Sequence, residues 1–417
     1  MRRPNTKNLL LLSFIIETLC VTYLLKFPTL INITRVLYFA SGLAIAFLFT
    51  KEPEKKLCLH VNRKTFAKPI HWYRFLFIFI TSIALHHFAM KYMDDAPLYY
   101  KDADMLPIIK VMNERMLAGN FSHVYDMIPE IWGGMKPIYL PAMWMPFGIP
   151  LMLHLDIRWL TFGALLFAFI ILICLWKPLH QRKSLIFLIP AFGLFWWLLT
   201  QDDSGLIPYT EEGVVILYYV LLTLALLTES YLFIGIAAGL CTLSRYGLVG
   251  WLPAMFVFLI LLRKRKEVVR FSMGGIACFV FLLLIPFGCN ICKDLIALPS
   301  SYINFAERVW SDSPELFTKT PGFAAFFGPG HIALQHHLLV ILSFAVPTLF
   351  ILICLSLKEL FNKTIHNIPL ATLKIALVIF YSFIDVPYLY LFYTSSFVSL
   401  IAIAYLISLK EDPIATV

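Results

Sequence analysis

A short stretch between two apolar runs carries the residues best suited to proton transfer: Asp102-Ala103-Asp104, then Pro107, Gly119, Tyr125 and Tyr139-Leu140-Pro141 with Pro146. From Asp104 to Ala118 the apolar residues Met105, Ile108, Ile109, Met112, Met116 and Leu117 recur at helical spacing. Lys110, Asn113, Glu114 and Arg115 supply a polar side, so the pattern predicts an amphipathic helix lying on a membrane surface. A carboxylate at the amino terminus of such a helix is held ionised by unpaired amides and the helix dipole. Asp104 can therefore accept a proton from a hydroxyl at neutral pH. Aspartate is also a preferred N-cap, and on residue chemistry alone that structural role comes first. Asp102 is the second candidate base.

A phosphate group, if the substrate carries one, would need positive charge. Arg245 is the leading cation, because the apolar run before it breaks at Arg245-Tyr246-Gly247 and a guanidinium grips phosphate oxygens in a fork. The competing role is a boundary arginine snorkelling to the interface. His331, His336 and His337 stand where the apolar run 334–354 begins. Adjacent residues cannot share one helix face, so at most one of His336 and His337 points inward. Lys136, Tyr139 and Asp385 complete the candidate substrate-binding set. An acid such as Asp385, in a tight turn at bilayer depth, is expensive without a partner, and Arg245 or Lys374 could serve. Glu211, Glu212, Asp202 and Asp203 read as solvated loop charge, and Trp132, Trp144 and Trp310 as interfacial anchors. Zinc at the three histidines is an alternative that the absence of an HExxH pattern or a carboxylate pair at ligand spacing disfavours. Cys289 and Cys292 form a lone CxxC, incidental or an extracytoplasmic disulfide.

The elements that must position these residues follow from composition. Of 417 residues 60% are apolar and 14% charged, and the mean hydropathy is +0.80. These values exclude a soluble enzyme, a disordered tail and a disulfide-rich secreted module. The net charge of +9 lies in short clusters between apolar runs, not on one continuous face. It therefore signals topology rather than nucleic-acid binding. An apolar run from Asn8 to Leu25 and a second reaching Thr50 read as a retained hairpin, followed by a basic segment, 51–74, placed in the cytoplasm. A third span, from Phe75 to Met90, delivers the chain into a long acidic loop, 91–137, outside. The run 139–155 resembles a span but is interrupted by Pro141, Pro146 and Pro150. Reading it as half-inserted returns Lys177, Arg182, Lys183 and Arg263-Lys264-Arg265-Lys266 to the cytoplasm. The expected architecture is an all-α, polytopic transmembrane bundle of about twelve spans. Residues 1–74 form an amino-terminal hairpin and basic loop, and 75–417 the catalytic domain.

With Asp104 opening the amphipathic helix, Gly119 near its end, then Tyr125 and Tyr139-Leu140-Pro141, the chain resembles the GT-C superfamily of integral-membrane glycosyltransferases. It is most similar to the polyprenyl-phosphate-mannose-dependent mannosyltransferase branch. The similarity in span layout covers most of residues 75–408, with Leu140 standing where that branch has the first proline of a Tyr-Pro-Pro-Leu segment. The resemblance implies an inverting transferase of the cell envelope with its active site on the extracytoplasmic face of the plasma membrane. It implies transfer of mannose or another hexose from a polyprenyl-phosphate donor to a glycolipid or glycan acceptor, with Asp104 as general base and no cofactor or metal. Its partners would be these two substrates and membrane lipid, without nucleic acid. A transporter or lipid-linked glycan flippase is the alternative class, although paired Gly/Pro-broken helices of inverted repeats are not apparent. A glycan polymerase or ligase is another.

Overall fold

The computed structural model describes residues 5–51, 72–175, 182–200, 205–357 and 365–408. Among these residues the chain is helical, with no strand and one isolated antiparallel bridge, between Ile128 and Met135. Eight helical segments are long and apolar enough to cross a membrane: Thr6–Lys26, Pro28–Phe49, Phe75–Asp95, Arg158–Leu175, Arg265–Phe287, Pro329–Ser356, Ile365–Phe383 and Leu389–Ile407. The protein is therefore an all-helical, multi-pass membrane protein. Shorter apolar helices cover Ile186–Leu198, Glu212–Thr228, Tyr231–Thr242 and Tyr246–Leu261.

The principal helices, in chain order, are α1 Thr6–Val21, α2 Ile31–Phe49, α3 Trp72–Asp95, α4 Met105–Leu117, α5 Arg158–Leu175, α6 Arg182–Thr200 and α7 Glu212–Thr228. They continue with α8 Tyr231–Thr242, α9 Trp251–Leu261, α10 Arg265–Phe279, α11 Asn290–Asp312, α12 Ile332–Ser356, α13 Ile368–Phe383 and α14 Phe392–Ser408. The segment 139–155 is not one helix. It breaks into Pro141–Trp144, Met145–Phe147 and Gly148–Met152, because Pro146 and Pro150 each remove an amide donor.

The last helix is the hub. Every residue from 390 to 407 is buried within the protein, whereas Phe75–Asp95 buries few of its residues and turns most of its apolar surface outward. The hairpin α1–α2 packs against α14 and α13 and contributes Leu10, Phe14, Cys20 and Tyr38 to the same core as the later helices. The basic loop at 52–71 lies outside the described residues, as do Lys177, Asp202 and Asp203.

Close helix approach is built from glycine. A Cβ on Gly235 of α8 would fall 2.0 Å from the carbonyl oxygen of Phe271 in α10, and one on Gly274 would fall 2.4 Å from that of Leu232. Without a hydrophobic driving force between helices in lipid, such backbone contact supplies the packing energy. Beyond α10 the chain widens into a π-helical turn at Val280–Leu284, just ahead of Pro286, whose missing amide interrupts the regular ladder.

Candidate functional site

Asp104 immediately precedes α4, but its side chain makes no capping bond. Its carboxylate lies instead beside the Trp132 indole. Burial pushes the carboxyl above its ordinary value, and the polar N–H groups of Trp132 and of its own backbone only partly offset the rise. The expectation of a helix terminus holding the carboxylate ionised is thus corrected: desolvation outweighs hydrogen bonding here. Asp102, two residues earlier, is exposed.

α4 closes as its pattern implies. Gly119 has φ of +80°, and the amide of Asn120 donates to the carbonyl of Arg115, satisfying a terminal acceptor. The buried stripe differs from the apolar count. Asn113, assigned to the polar side, is fully buried and donates to the carbonyls of Ile109 and Trp144 at 2.9 and 2.8 Å. It fastens α4 to the broken segment after Leu140. Trp144 is correspondingly buried rather than interfacial, donating to the Tyr125 hydroxyl at 3.1 Å. Tyr125 in turn donates to the Tyr139 carbonyl at 3.0 Å. The motif residues Tyr125 and Tyr139 are therefore joined directly, and Tyr139 is brought to Asp104, whose charge, after burial itself, raises the Tyr139 hydroxyl.

Glu211 and Glu212, read from sequence as solvated loop charge, are buried. Arg245 binds both, its Nη2 lying 2.9 Å from Glu211 Oε1 and 2.6 Å from Glu212 Oε2, and Thr394 of α14 donates to Glu212. Sequence reading missed this pairing because the partners lie 33 and 34 residues apart. The usable signal was a pair of acids opening an apolar helix opposite a boundary arginine. Two carboxylates thus face one guanidinium, yet Glu211 Oε2 and Arg245 Nε carry no hydrogen bond among the described residues. Burial raises the Glu211 carboxyl, Arg245 opposes the rise, and nearby Asp104 adds to it.

Asp385 pairs neither with Arg245 nor with Lys374. His336 Nδ1 lies 2.8 Å from Asp385 Oδ2, while Lys374 is taken by Glu17. His336 is half-buried and His337 exposed, the latter's Nδ1 lying 2.6 Å from the Ala333 carbonyl. His331 and Lys136 are exposed and stand apart from these ion pairs. Three tyrosines link the groups: Tyr388 is coupled to Asp104, Tyr390 to Glu211 and Arg245, and Tyr302 of α11 to Arg245 and Asp385. Tyr388 and Tyr390 stack with centroids 5.5 Å apart, and the Tyr390 hydroxyl donates to Met105 Sδ, which ties the last loop to α4.

Chemically the cluster offers a desolvated carboxylate, a clamped guanidinium whose buried Nε–H is unused, a carboxylate-oriented imidazole and a wall of phenols. Among the described residues no group of three or more His, Cys, Asp or Glu side chains could hold a metal ion. Cys289 and Cys292 are free thiols, so they form no disulfide. No family model, curated protein or solved structure matches the chain.

Proposed function

We propose that this protein is an integral-membrane glycosyltransferase of GT-C type that moves a sugar, mannose or another hexose, from a polyprenyl-phosphate donor to a glycolipid or glycan acceptor at the extracytoplasmic face. One observation carries the reading: Asp104, Glu211, Tyr388 and Tyr390, from separate segments of the chain, all lie within electrostatic reach of Tyr139. Such convergence of perturbed groups is characteristic of sites tuned for proton transfer. A carboxyl that burial raises above its ordinary value is a stronger base than an exposed one.

In the proposed reaction the acceptor hydroxyl gives its proton to Asp104, and its oxygen bonds to the anomeric carbon. The bond from that carbon to the phosphate oxygen breaks, and polyprenyl phosphate leaves with the bonding pair. Arg245 is already balanced by two glutamates, so it contributes its unused Nε–H rather than net charge. A protonated His336, oriented by Asp385, supplies the additional cation. Tyrosine hydroxyls and Glu211 Oε2 are suited to sugar hydroxyls.

The corresponding topology counts the four shorter apolar helices as crossings beside the eight long ones. This makes twelve, with both chain ends and the cluster at Arg263–Lys266 in the cytoplasm. Ser122→Cys and Lys264→Cys, introduced singly into a background without the native cysteines, should then react with an impermeant thiol reagent from opposite sides. Reaction of both in intact cells excludes this arrangement. For the activity itself, purified protein should consume a radiolabelled polyprenyl-phosphate mannose or glucose and release polyprenyl phosphate. Failure to consume any labelled donor of this class, by protein shown to be folded, removes the proposal.

A further inference from the structure

Trp132 sits in a conformation that its residue type disfavours. Its φ is +53°, and Gly133 and Gly134 follow at +73° and +130°. A left-handed backbone suits glycine or asparagine, and a bulky side chain held there marks a place where the surroundings impose the geometry. The surrounding loop is short and closed. Ile128 and Met135 exchange both backbone hydrogen bonds, at 2.8 and 3.1 Å, and the Gly134 amide donates to Ile131 at 3.0 Å. A Cβ at Gly134 would approach Met127 Sδ to 2.8 Å.

This turn presents the indole outward with its orientation fixed. Trp132 is 57% exposed, its indole lies beside the Asp104 carboxylate, and Tyr100 stands perpendicular to it with centroids 5.5 Å apart. Tyr99, itself exposed, packs on Tyr100 at 5.1 Å. A tryptophan serving only as a membrane anchor would need neither the strained backbone nor the place beside the candidate base.

We infer that Trp132, flanked by Tyr100, is a stacking platform for a pyranose ring of the acceptor, placing the hydroxyl to be glycosylated over Asp104. The chemistry is that of an aromatic face, which carries negative quadrupole charge, meeting the polarised C–H face of a sugar. A rigid platform loses little entropy on binding. The inference deepens the glycosyltransferase reading and rests on it for the ring's role as acceptor. Binding of the ring is testable without any donor.

The full chain in lipid nanodiscs is mixed with methyl α-mannopyranoside or methyl β-glucopyranoside, without polyprenyl phosphate, and saturation transfer from protein to sugar protons is measured by NMR. The wild type should saturate the ring C–H protons of at least one glycoside. Trp132→Phe should retain most of the effect, because a ring face remains. Trp132→Leu, which keeps apolar bulk but no π face, should weaken it by about tenfold. Trp196→Ala, removing an exposed ring from α6, should leave it unchanged. Absence of saturation in the wild type, or equal saturation in Trp132→Leu, overturns the inference. If donor consumption fails while Trp132-dependent saturation persists, the subsite stands and the transferase reading falls. Donor consumption without Trp132-dependent saturation keeps the transferase reading and removes the subsite.

Discussion

Burial lifts the Asp104 carboxyl while the N–H groups of Trp132 and of its own backbone pull it back, so under the proposed mechanism one residue carries opposite requirements for stability and for transfer. As a base it must be ionised, and transfer should decline as pH falls through its raised value, above the ordinary 3.8. For folding the sign is reversed. A carboxyl whose value is higher in the folded state binds its proton more tightly there, so its stabilising contribution is present at low pH and lost as pH rises through the folded value. Asp104→Asn keeps shape and an acceptor for Trp132 while removing the charge. It should reduce transfer by roughly 10²–10⁴-fold, yet leave the melting temperature at pH 7 to 8 equal to or above the wild type. That advantage should shrink toward pH 4. Normal transfer by this variant, measured beside Asp102→Asn, would remove Asp104 from the mechanism, whereas collapse in Asp102→Asn alone would move the base two residues upstream.

At the scale of elements, long apolar runs were readable because lipid requires every backbone group to be paired within its own segment. The same requirement made the proline-broken segment after Tyr139 recognisable. Packing between helices was less readable. Gly235 and Gly274 are ordinary residues in apolar runs, and only the crossing of α8 and α10 shows that each meets backbone at less than contact distance. The acids were harder still. Glu211 and Glu212 look like loop charge until α7 and the end of α8 are brought together around Arg245. Since Arg245 follows α8 by three residues, the crossing and the clamp are mechanically joined. Gly235→Val should force α8 from α10 and lower stability by about 1–3 kcal/mol, the usual range for overpacking. Transfer should fall with it. Gly193→Ala, in α6 where no atom lies within 4 Å of the added carbon, should be neutral or slightly stabilising. Equal melting temperatures for both variants in detergent would show that the α8–α10 contact is looser than its backbone distances imply.

Across the whole molecule the amino-terminal hairpin, which sequence separates at residue 74, is tied to the helices that follow by a charge pair. Lys374 of α13 bonds Glu17 of α1 at 2.5 Å, with both side chains at 0% exposure. Ser395 accepts from the lysine, and Ser399 donates to Glu17 at 2.8 Å. Glu17 was the missed signal: an acid inside an apolar run is costly enough to demand a partner, but nothing local in the sequence says that the partner lies 357 residues away. The pair also reaches the candidate site, since Ser395 adjoins Thr394, which holds Glu212. Removing one member leaves the other charged and dry. Lys374→Met should therefore destabilise by about 3–5 kcal/mol, whereas the double replacement Glu17→Leu with Lys374→Met should recover most of the loss, because no charge remains to be desolvated. Recovery should be incomplete, as Ser395 and Ser399 would each lose a bond. Thermal unfolding of the four proteins in one detergent completes the double-mutant cycle. A strongly non-additive result means that the hairpin and the later helices are joined through this charge pair. Single and double losses that simply add would assign the joint to apolar packing of α1 against α14 instead.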